Sequence, residues 1–496
     1  MKNLFKLMTF AIILVLLFTL TSCTEKEEEE VEEVAPIVNI TDEEIYDEML
    51  AVSTVPASGK YYPSKITAYI GTKAESLGLE METDESGNII VFKPASSGME
   101  SAPVTVLECG LYSPDTTLPK LIRNTATGSI TSDGGSLAVN RNAGIATILC
   151  ILKDVEIHGP IRAIFTVDKN PTFENSSNLS AAYLQDAANL IGFSGTNGIN
   201  TYISAPSAQM LESNLQAEAV PTKGKYAYVI AASGFPHNGS SDIPNPVKVI
   251  SDLLTQAKAG GLYYELSSLS AGSAPLLSPT EAVAVVVFDD YEMKRFKTLF
   301  DEFDRQFMDS LPAQTEQIKL QLIQTRVPGD VLSDEAQSNV IAYLYGVLNN
   351  MNSGDGSANI SIYDLSLSHG TLLCKMAVAS EAKEKIDQII ENQSSIAGFS
   401  AIPLAVTGEV LGFKTKDSSP VATSLNDNLS AQFREKKKSL SLNTISELSV
   451  LASKNEELST ISLGWETAVN ADGKEYLLQK SVAAPANAIV DFLLNE

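Results

Sequence analysis

The chain has 496 residues, 61 of them acidic and 35 basic, and a formal net charge of −26 at pH 7. So acidic a chain is not expected to bind nucleic acid or to dock electrostatically on an anionic bilayer, since both partners select a cationic face. Beyond its first 40 residues the chain is long enough for two or three domains with substantial cores.

The amino-terminal segment has the pattern of a secretory signal followed by a lipidation site. Two lysines precede an apolar run from Leu7 to Leu20, and Leu20-Thr21-Ser22-Cys23 has the order of a lipobox. A buried helix or a membrane span is the alternative, but the run is short for a span and polar chain follows it. The sequence therefore predicts that residues 1–22 are a lipoprotein signal peptide and that acylated Cys23 anchors the chain in the membrane.

An acidic tether is predicted between the lipid and the folded chain. Residues 25–33 are almost unbroken glutamate, which repels itself and cannot be buried. Residues 23–40 are thus expected to form a lipidated, extended spacer. An acidic run at this place also resembles the surface-export signals of some Gram-negative lipoproteins. The expected location is the bacterial cell envelope, either periplasmic or surface-exposed.

The remaining cysteines indicate buried free thiols. Cys109, Cys150 and Cys374 have no metal-binding spacing and fall in apolar segments. A disulfide between Cys109 and Cys150 is the alternative, because the expected compartment is oxidising.

Apolar spacing and turn residues predict alternating helices and strands in the first half of the folded chain. Helices are predicted at 41–50, 64–79, 142–153 and 179–188, and strands at 89–93, 104–109, 161–167 and 189–193. This alternation predicts an α/β fold, in which helices cover both faces of a mixed sheet.

From Lys225 the predicted order changes to that of a ferredoxin-like unit. Strands are predicted at 226–232, 261–269, 282–288 and 318–324, with helices at 247–257 and 291–309. A second, similar set follows at 334–348, 360–367, 372–378, 383–392 and 402–406. We interpret residues 223–406 as a duplicated α+β lid domain inserted into an α/β domain, which is made of residues 41–222 and 407–496.

Several short segments, in order along the chain, carry a resemblance to a known family. They are Asp84 to Pro94, Gly98-Met99-Glu100, Val104 to Pro114, His158-Gly159-Pro160 and Pro328-Gly329-Asp330-Val331. Together they resemble the Xaa-His (aminoacyl-histidine) dipeptidase branch of the M20 metallopeptidases. The resemblance implies a zinc-peptidase-like main domain interrupted by a lid, and homodimerisation through that lid.

The same resemblance locates the family's metal and catalytic positions, and this chain departs from the family at each of them. In the family, two zinc ions are held by histidines and carboxylates, and a glutamate acts as the general base. The matching positions here are Gly110, Tyr112, Asn140, Lys169, Asn170, Ser194 and Ala471. Glycine, alanine and a lysine charge cannot replace imidazole or carboxylate ligands, although Asp168 could substitute for one of the acids. We therefore expect no metal, no cofactor and no catalytic residue.

Cationic side chains near the lost centre suggest a binding role. Arg141 and Lys169 fall where the resemblance places a cation site; if both line the cleft, it would attract a carboxylate or a peptide C-terminus. The alternative is that Lys169 pairs with Asp168 or points to solvent. His237 matches a substrate-facing histidine of the lid, with a locally bonded loop residue as the alternative. His158 and His369 are predicted to be structural.

The expected function is a non-catalytic peptide-binding or scaffolding protein of the envelope, whose partner is a peptide or a neighbouring envelope protein. One alternative is an active metal-dependent aminoacyl-histidine dipeptidase with relocated ligands. The other is a structural lipoprotein with no ligand.

Overall fold

The computed structural model describes residues 39–113, 115–168, 173–195, 198–236, 243–273, 277–312, 315, 317–349, 358–469 and 475–495. The predicted signal peptide, Cys23 and most of the predicted tether lie outside these residues. Within them, no helix combines the length and the apolar character that a membrane crossing requires.

Helices are numbered along the described chain. They are α1 (Asp42–Ser53), α2 (Tyr62–Ser76), α3 (Val139–Asp154), α4 (Glu174–Asn178), α5 (Pro246–Ala259), α6 (Asp290–Ser310), α7 (Asp334–Asn349), α8 (Lys383–Phe399), α9 (Pro420–Phe433), α10 (Glu447–Ala452) and α11 (Ala484–Leu493).

The first sheet is mixed, and strands are also numbered in chain order. Across the sheet they run β1 (Glu80–Thr83), β2 (Ile89–Lys93), β6 (Ile161–Thr166), β3 (Val104–Gly110), β7 (Ala187–Gly195), β21 (Ser459–Gly464), β8 (Thr201–Ala205) and β19 (Phe413–Lys414), with β20 (Ser439–Ser441) paired to β8. The central strands β6, β3, β7 and β21 are parallel to one another. Their carboxyl ends therefore meet at one edge of the sheet.

Helices cover both faces of this sheet. Successive side chains of a strand point to opposite faces, so the contacts of neighbouring strand residues show which helix lies on each face. On β3, the Cys109 thiol lies 3.6 Å from the backbone oxygen of Asn140 at the start of α3. On the other face, a Cβ at Gly192 of β7 would lie 2.7 Å from Leu448 of α10 and 2.8 Å from Glu108. The sheet is thus enclosed between α3 and α10.

Two small sheets accompany the first one. One consists of β22 (Thr467–Val469), β23 (Glu475–Leu478), β5 (Ser129–Gly134) and β4 (Pro119–Asn124), and the other pairs β10 (Ala219–Pro221) with β15 (Asp330–Leu332).

The second large sheet is antiparallel and contains two ferredoxin-like units side by side. Its order is β14 (Lys319–Thr325), β11 (Tyr226–Ser233), β13 (Glu281–Phe288), β12 (Glu265–Gly272), β16 (Ala358–Ser368), β17 (Thr371–Ser380), β9 (Ser207–Gln216) and β18 (Ala405–Val410). Each half has the spatial order 4-1-3-2, and the halves join where β12 pairs with β16. The first strand of the second unit is β9, so the whole first unit is inserted after it.

The predicted architecture is confirmed, with differences in detail. The α/β sheet covered on both faces and the duplicated α+β insert are both present. The second sheet includes β9, which precedes the predicted lid boundary at residue 223, and β18, which crosses the boundary at residue 406. The domain boundaries themselves remain a prediction. The hairpin β4–β5 was not predicted.

The helix predicted at 179–188 is wrong. The chain there forms a short 3-10 turn, Ala181–Tyr183, and β7 begins at Ala187. Arg162 donates to the backbone oxygen of Tyr183, and the Asn455 amide donates to that of Leu184 at 2.8 Å. These carbonyl groups are therefore occupied by distant side chains that hold the chain in a turn.

Candidate functional site

The candidate site is the edge of the first sheet where the parallel strands β3, β6 and β7 end. Gly110 pairs with Thr166 across β3 and β6, and Glu108 pairs with Gly192 across β3 and β7. In open α/β sheets, ligand sites lie outside the carboxyl ends of such strands.

Glu447 of α10 fills the space beside Gly110. A Cβ built on Gly110 would lie 3.1 Å from Glu447 Oε1, closer than ordinary van der Waals contact. An imidazole at residue 110 would extend farther along the same direction. The position where the family resemblance implies a metal-binding histidine is therefore occupied by a carboxylate from a distant part of the chain.

A second carboxylate, that of Glu108, is buried on the same face of the sheet. Its side chain is 1 % exposed, and the Thr166 hydroxyl donates to Oε1 at 3.3 Å. Burial raises the pKa of Glu108 well above its ordinary value, and the Glu447 charge raises it further. Burial also raises the pKa of Glu447 to about 7, and Asp168 adds to this shift. Burial therefore opposes the ionisation of both carboxyl groups.

Asp168 follows β6 and stabilises the start of α4. Its Oδ1 accepts the backbone N–H of Asn175 at 2.7 Å, and its Oδ2 accepts both the backbone N–H at 2.9 Å and the hydroxyl of Ser176. Desolvation nevertheless raises the pKa of Asp168, against the effect of these hydrogen bonds. Asp168 therefore satisfies backbone N–H groups at the start of α4 in the manner of a helix cap, and both of its oxygens are engaged.

The other described positions that the resemblance assigns to the metal centre carry no carboxylate or imidazole and lie in separate environments. The Tyr112 ring meets that of Tyr62 edge-on, with 6.0 Å between centroids. Asn140 lies in the first turn of α3, and the Ser194 backbone N–H donates to the Ser462 hydroxyl at 2.8 Å. Lys169, Asn170 and Ala471 lie outside the described residues, and so does His237.

The residues present do not fit the pair of divalent ions that the fold family implies. Among the described residues, no group of three histidine, cysteine, aspartate or glutamate side chains has a geometry that could hold a metal ion. The described acids at the edge are Asp168, whose two oxygens accept hydrogen bonds at the start of α4, and the carboxyl groups of Glu108 and Glu447. This donor set lacks the number and the arrangement of ligands that two divalent ions require.

The other described histidines lie away from this edge. His158 precedes β6, at the opposite end of the parallel strands, and its Nδ1 lies 2.6 Å from the Gly159 oxygen. Burial lowers the pKa of His158. His369 forms the β16–β17 turn with φ 47° and lies 3.1 Å from Asp330. The structural roles predicted for both residues agree with these positions.

Arg141 is buried in the first turn of α3, at 5 % exposure. Its Nε donates to the Leu111 oxygen at 2.7 Å, and its Nη1 donates to Asn142 Oδ1 at 2.6 Å. Its Nη2 donates to the oxygens of Val55 and Pro56 at 3.3 and 3.5 Å. Burial lowers the pKa of Arg141, and one side of the residue lines a cavity.

Sequence reasoning missed Glu108 and Glu447. Glu108 had a usable signal, because it is an acid within the apolar strand Val104–Gly110, and a buried acid of this kind marks a perturbed site. Glu447 had none: it opens a short helix far from β3 in the sequence, and only the fold brings the two together. The predicted buried free thiols at Cys109, Cys150 and Cys374 are confirmed.

The chain is similar to known peptidases in sequence and in fold, although no family model matches it. The Escherichia coli cytosol non-specific dipeptidase is 21% identical over 408 residues, which cover 77% of this chain and 83% of the dipeptidase. The crystal structure of aminoacylhistidine dipeptidase from Vibrio alginolyticus superposes with a TM-score of 0.61 at 17% identity, covering 91% of this chain and 96% of that one. A Staphylococcus aureus tripeptidase gives a TM-score of 0.54 at 13% identity, covering 92% and 98%.

The likeness to the solved structures extends over nearly the whole described chain and establishes a shared fold. The likeness to the E. coli dipeptidase adds a relationship in sequence over most of both chains. The chain thus shares the fold of these peptidases and is similar in sequence to one of them over most of both chains.

Proposed function

We propose that this chain is a lipid-anchored envelope protein with an M20 dipeptidase-like fold that has lost hydrolytic activity and serves in peptide binding or scaffolding. One observation carries the proposal: Glu447 Oε1 lies 3.1 Å from the position of a Cβ on residue 110. The space needed for a metal-binding imidazole is filled by this protein's own side chain. Loss of the ligand at residue 110 is thus accompanied by repacking of the site.

The desolvation of the edge carboxyl groups supports the same proposal. Glu108 and Glu447 both have raised pKa values because they are desolvated. A di-metal hydrolase needs ionised ligands and an ionised general base at neutral pH. Burial of these two carboxyl groups opposes the ionisation that both roles require.

The membrane anchor is part of the proposal and is supported by the amino-terminal sequence alone. The lipobox ending at Cys23 and the glutamate run that follows it fit an acylated protein held away from the bilayer. Replacement of Cys23 by serine is expected to move the protein from the membrane to the soluble fraction of fractionated cells. Equal partition of C23S and the parent protein would contradict the anchor. Homodimerisation through the lid remains a further prediction, to be measured by sedimentation.

A second candidate, an active dipeptidase, is favoured by the sequence relationship to the E. coli enzyme, whose name describes a dipeptidase. In that case Glu108 and Glu447 are the acids at the edge that would serve as relocated ligands. Against this candidate, no group of three ligand-type side chains with metal-binding geometry occurs among the described residues.

The test combines elemental analysis with a hydrolysis assay. The purified protein is incubated with alanyl-histidine, with and without added zinc or manganese, and the release of histidine is followed. We expect no hydrolysis and substoichiometric metal after dialysis. Hydrolysis that depends on metal and is abolished by a chelator would overturn the proposal. Glu447→Ala is the matched variant, because it empties the space beside Gly110 without supplying a ligand.

A further inference from the structure

A cavity of about 230 Å³ opens on the α3 side of the first sheet. Its wall is formed by the segment that precedes α2, by the chain that follows β3 and by the first turn of α3. The lining residues that matter chemically are Ser58, Ser113, Asp115, Ser136, Arg141 and Asn142. Apart from the Asp115 carboxylate, these polar groups are hydroxyl, amide or guanidinium groups, of which the Ser58 hydroxyl already donates to the Asp115 backbone oxygen at 2.9 Å and the Asn142 amide to the Leu137 backbone oxygen at 2.7 Å.

The buried charge of Arg141 has no acidic partner among the described ion pairs. Its guanidinium is held by backbone oxygens and one side-chain amide, which are dipoles without a net charge. A buried cation is expensive unless an opposite charge lies nearby. An anion entering the cavity would supply that charge.

The start of α3 adds a second source of positive potential. The helix has 16 residues, no acid in its first turn and no side-chain hydrogen bond at its N-cap residue, Ala138, which has φ 44°. Ala138, Arg141 and Asn142 all line the cavity. The N-terminus of a helix favours negative charge through its unpaired N–H groups and its dipole. The guanidinium and the helix end therefore act on the same space.

We propose that this cavity binds a small carboxylate, namely the C-terminal carboxylate of a peptide. The inference rests on the proposed peptide-binding function and assigns it a site. A volume of about 230 Å³ is below the roughly 300–1,000 Å³ typical of sites for drug-sized ligands. The cavity therefore holds one or two terminal residues, with the rest of the peptide in solvent.

Asp115 is the one acid among the lining residues, and removal of its charge tests the electrostatic argument. Its Oδ1 accepts the Thr117 N–H at 2.9 Å and its Oδ2 accepts the Ser136 N–H at 2.7 Å, and these bonds lower its pKa. Asp115 is therefore ionised at neutral pH and repels an entering carboxylate. Asp115→Asn removes that repulsion while keeping a side-chain acceptor. The variant is expected to bind the anion roughly threefold more tightly.

Calorimetric titration of the purified protein with N-acetyl-alanyl-alanine tests the proposal. Its C-terminal amide is the uncharged control, and acetate is the control for a free small acid. We expect the peptide acid to bind at least about tenfold more tightly than either control. Equal affinity for the amide would overturn the carboxylate assignment, and equal affinity for acetate would overturn the peptide assignment.

Variants at the cavity mouth locate the site without disturbing the fold. Thr116 is exposed and lines the cavity, whereas Thr125 is exposed in the β4–β5 turn and does not line it. Thr116→Trp is expected to weaken binding at least about tenfold, and Thr125→Trp is expected to leave it unchanged. Equal affinity of the two variants would overturn the assignment of the cavity.

The proposed loss of catalysis and the proposed carboxylate site can be refuted separately. Metal-dependent cleavage of alanyl-histidine would overturn the proposed loss of catalysis, but it would not change the result with the acetylated peptide. Absence of binding by N-acetyl-alanyl-alanine would overturn the cavity proposal and leave the loss of catalysis untouched.

Discussion

The stability of this protein should depend on pH through Glu447. Burial raises the pKa of its carboxyl group from the ordinary value of 4.5 to about 7 in the folded state. Because the folded pKa is raised, ionisation opposes folding: the stability is complete below about pH 4.5 and falls as the pH rises through about 7. A shift of that size corresponds to about 3 kcal/mol, which the partly buried position of Glu447 reduces toward about 2 kcal/mol.

Glu447→Gln removes the charge and keeps the shape. The variant is expected to be more stable than the parent protein by less than about 1 kcal/mol at pH 5 and by about 2 kcal/mol at pH 8. Urea unfolding at the two pH values, followed by tryptophan fluorescence, measures this difference, because Trp465 is buried and lies 5.3 Å from the Phe193 ring. Glu108 stays in place in this variant. Loss of the Glu447 charge also relieves part of the free-energy cost of ionising Glu108 at high pH.

Glu456→Gln is the matched control. Glu456 is exposed in the turn after α10, so its neutralisation should change the two stabilities equally. The reasoning would be refuted if Glu447→Gln gave the same stability difference at pH 5 as at pH 8, or if it destabilised the protein at pH 8.

Other expectations concern packing, capping and thiol reactivity. Gly110→Ala places a Cβ against the Glu447 carboxylate and should lower the free energy of unfolding by about 1–2 kcal/mol, whereas Gly59→Ala, at an open turn, reports the cost of backbone strain alone. Asp168→Ala removes the cap of α4 and should cost about 1–2 kcal/mol, and an unchanged melting midpoint would contradict that role. The buried thiols of Cys109, Cys150 and Cys374, whose pKa values are raised by burial, should react with a disulfide reagent only after unfolding; fast reaction of the native protein at any of them would contradict this.

Local patterns were sufficient to predict most of the elements that surround the site. The apolar run of β3 and the helical spacing of α3 mark a buried strand followed by a buried helix, and Gly87, with φ 92°, forms the turn before β2. These features are set by neighbouring residues. Sequence periodicity therefore finds them without knowledge of the fold.

Elements that depend on distant partners were not predictable in this way. Strand β9 has the mixed sequence Ser207–Gln216, and its buried Ser213 is paired with the Tyr343 hydroxyl at 2.7 Å. The inward position of a serine gives no apolar signal. The helix predicted at 179–188 failed for a related reason, since Arg162 and Asn455 bind the carbonyl groups of that turn.

The candidate site was likewise predictable only where it depends on neighbouring residues. The resemblance placed the site at the end of a strand, and Gly110 ends a parallel strand at this edge. It did not reveal that the edge holds acids of its own, Glu108 and Glu447, which are brought together across more than 330 residues of chain that include the inserted lid.

The acids at the edge and the cation beside α3 both bear on what the cleft attracts. Burial opposes the ionisation of Glu108 and Glu447, so these acids contribute less negative charge than their number suggests. Arg141 stays charged, because even a lowered guanidinium pKa lies far above neutrality, while Asp115 in the same lining is ionised and opposes an entering anion. The guanidinium and the start of α3 must therefore outweigh Asp115 for a carboxylate to bind, and Asp115→Asn measures that balance.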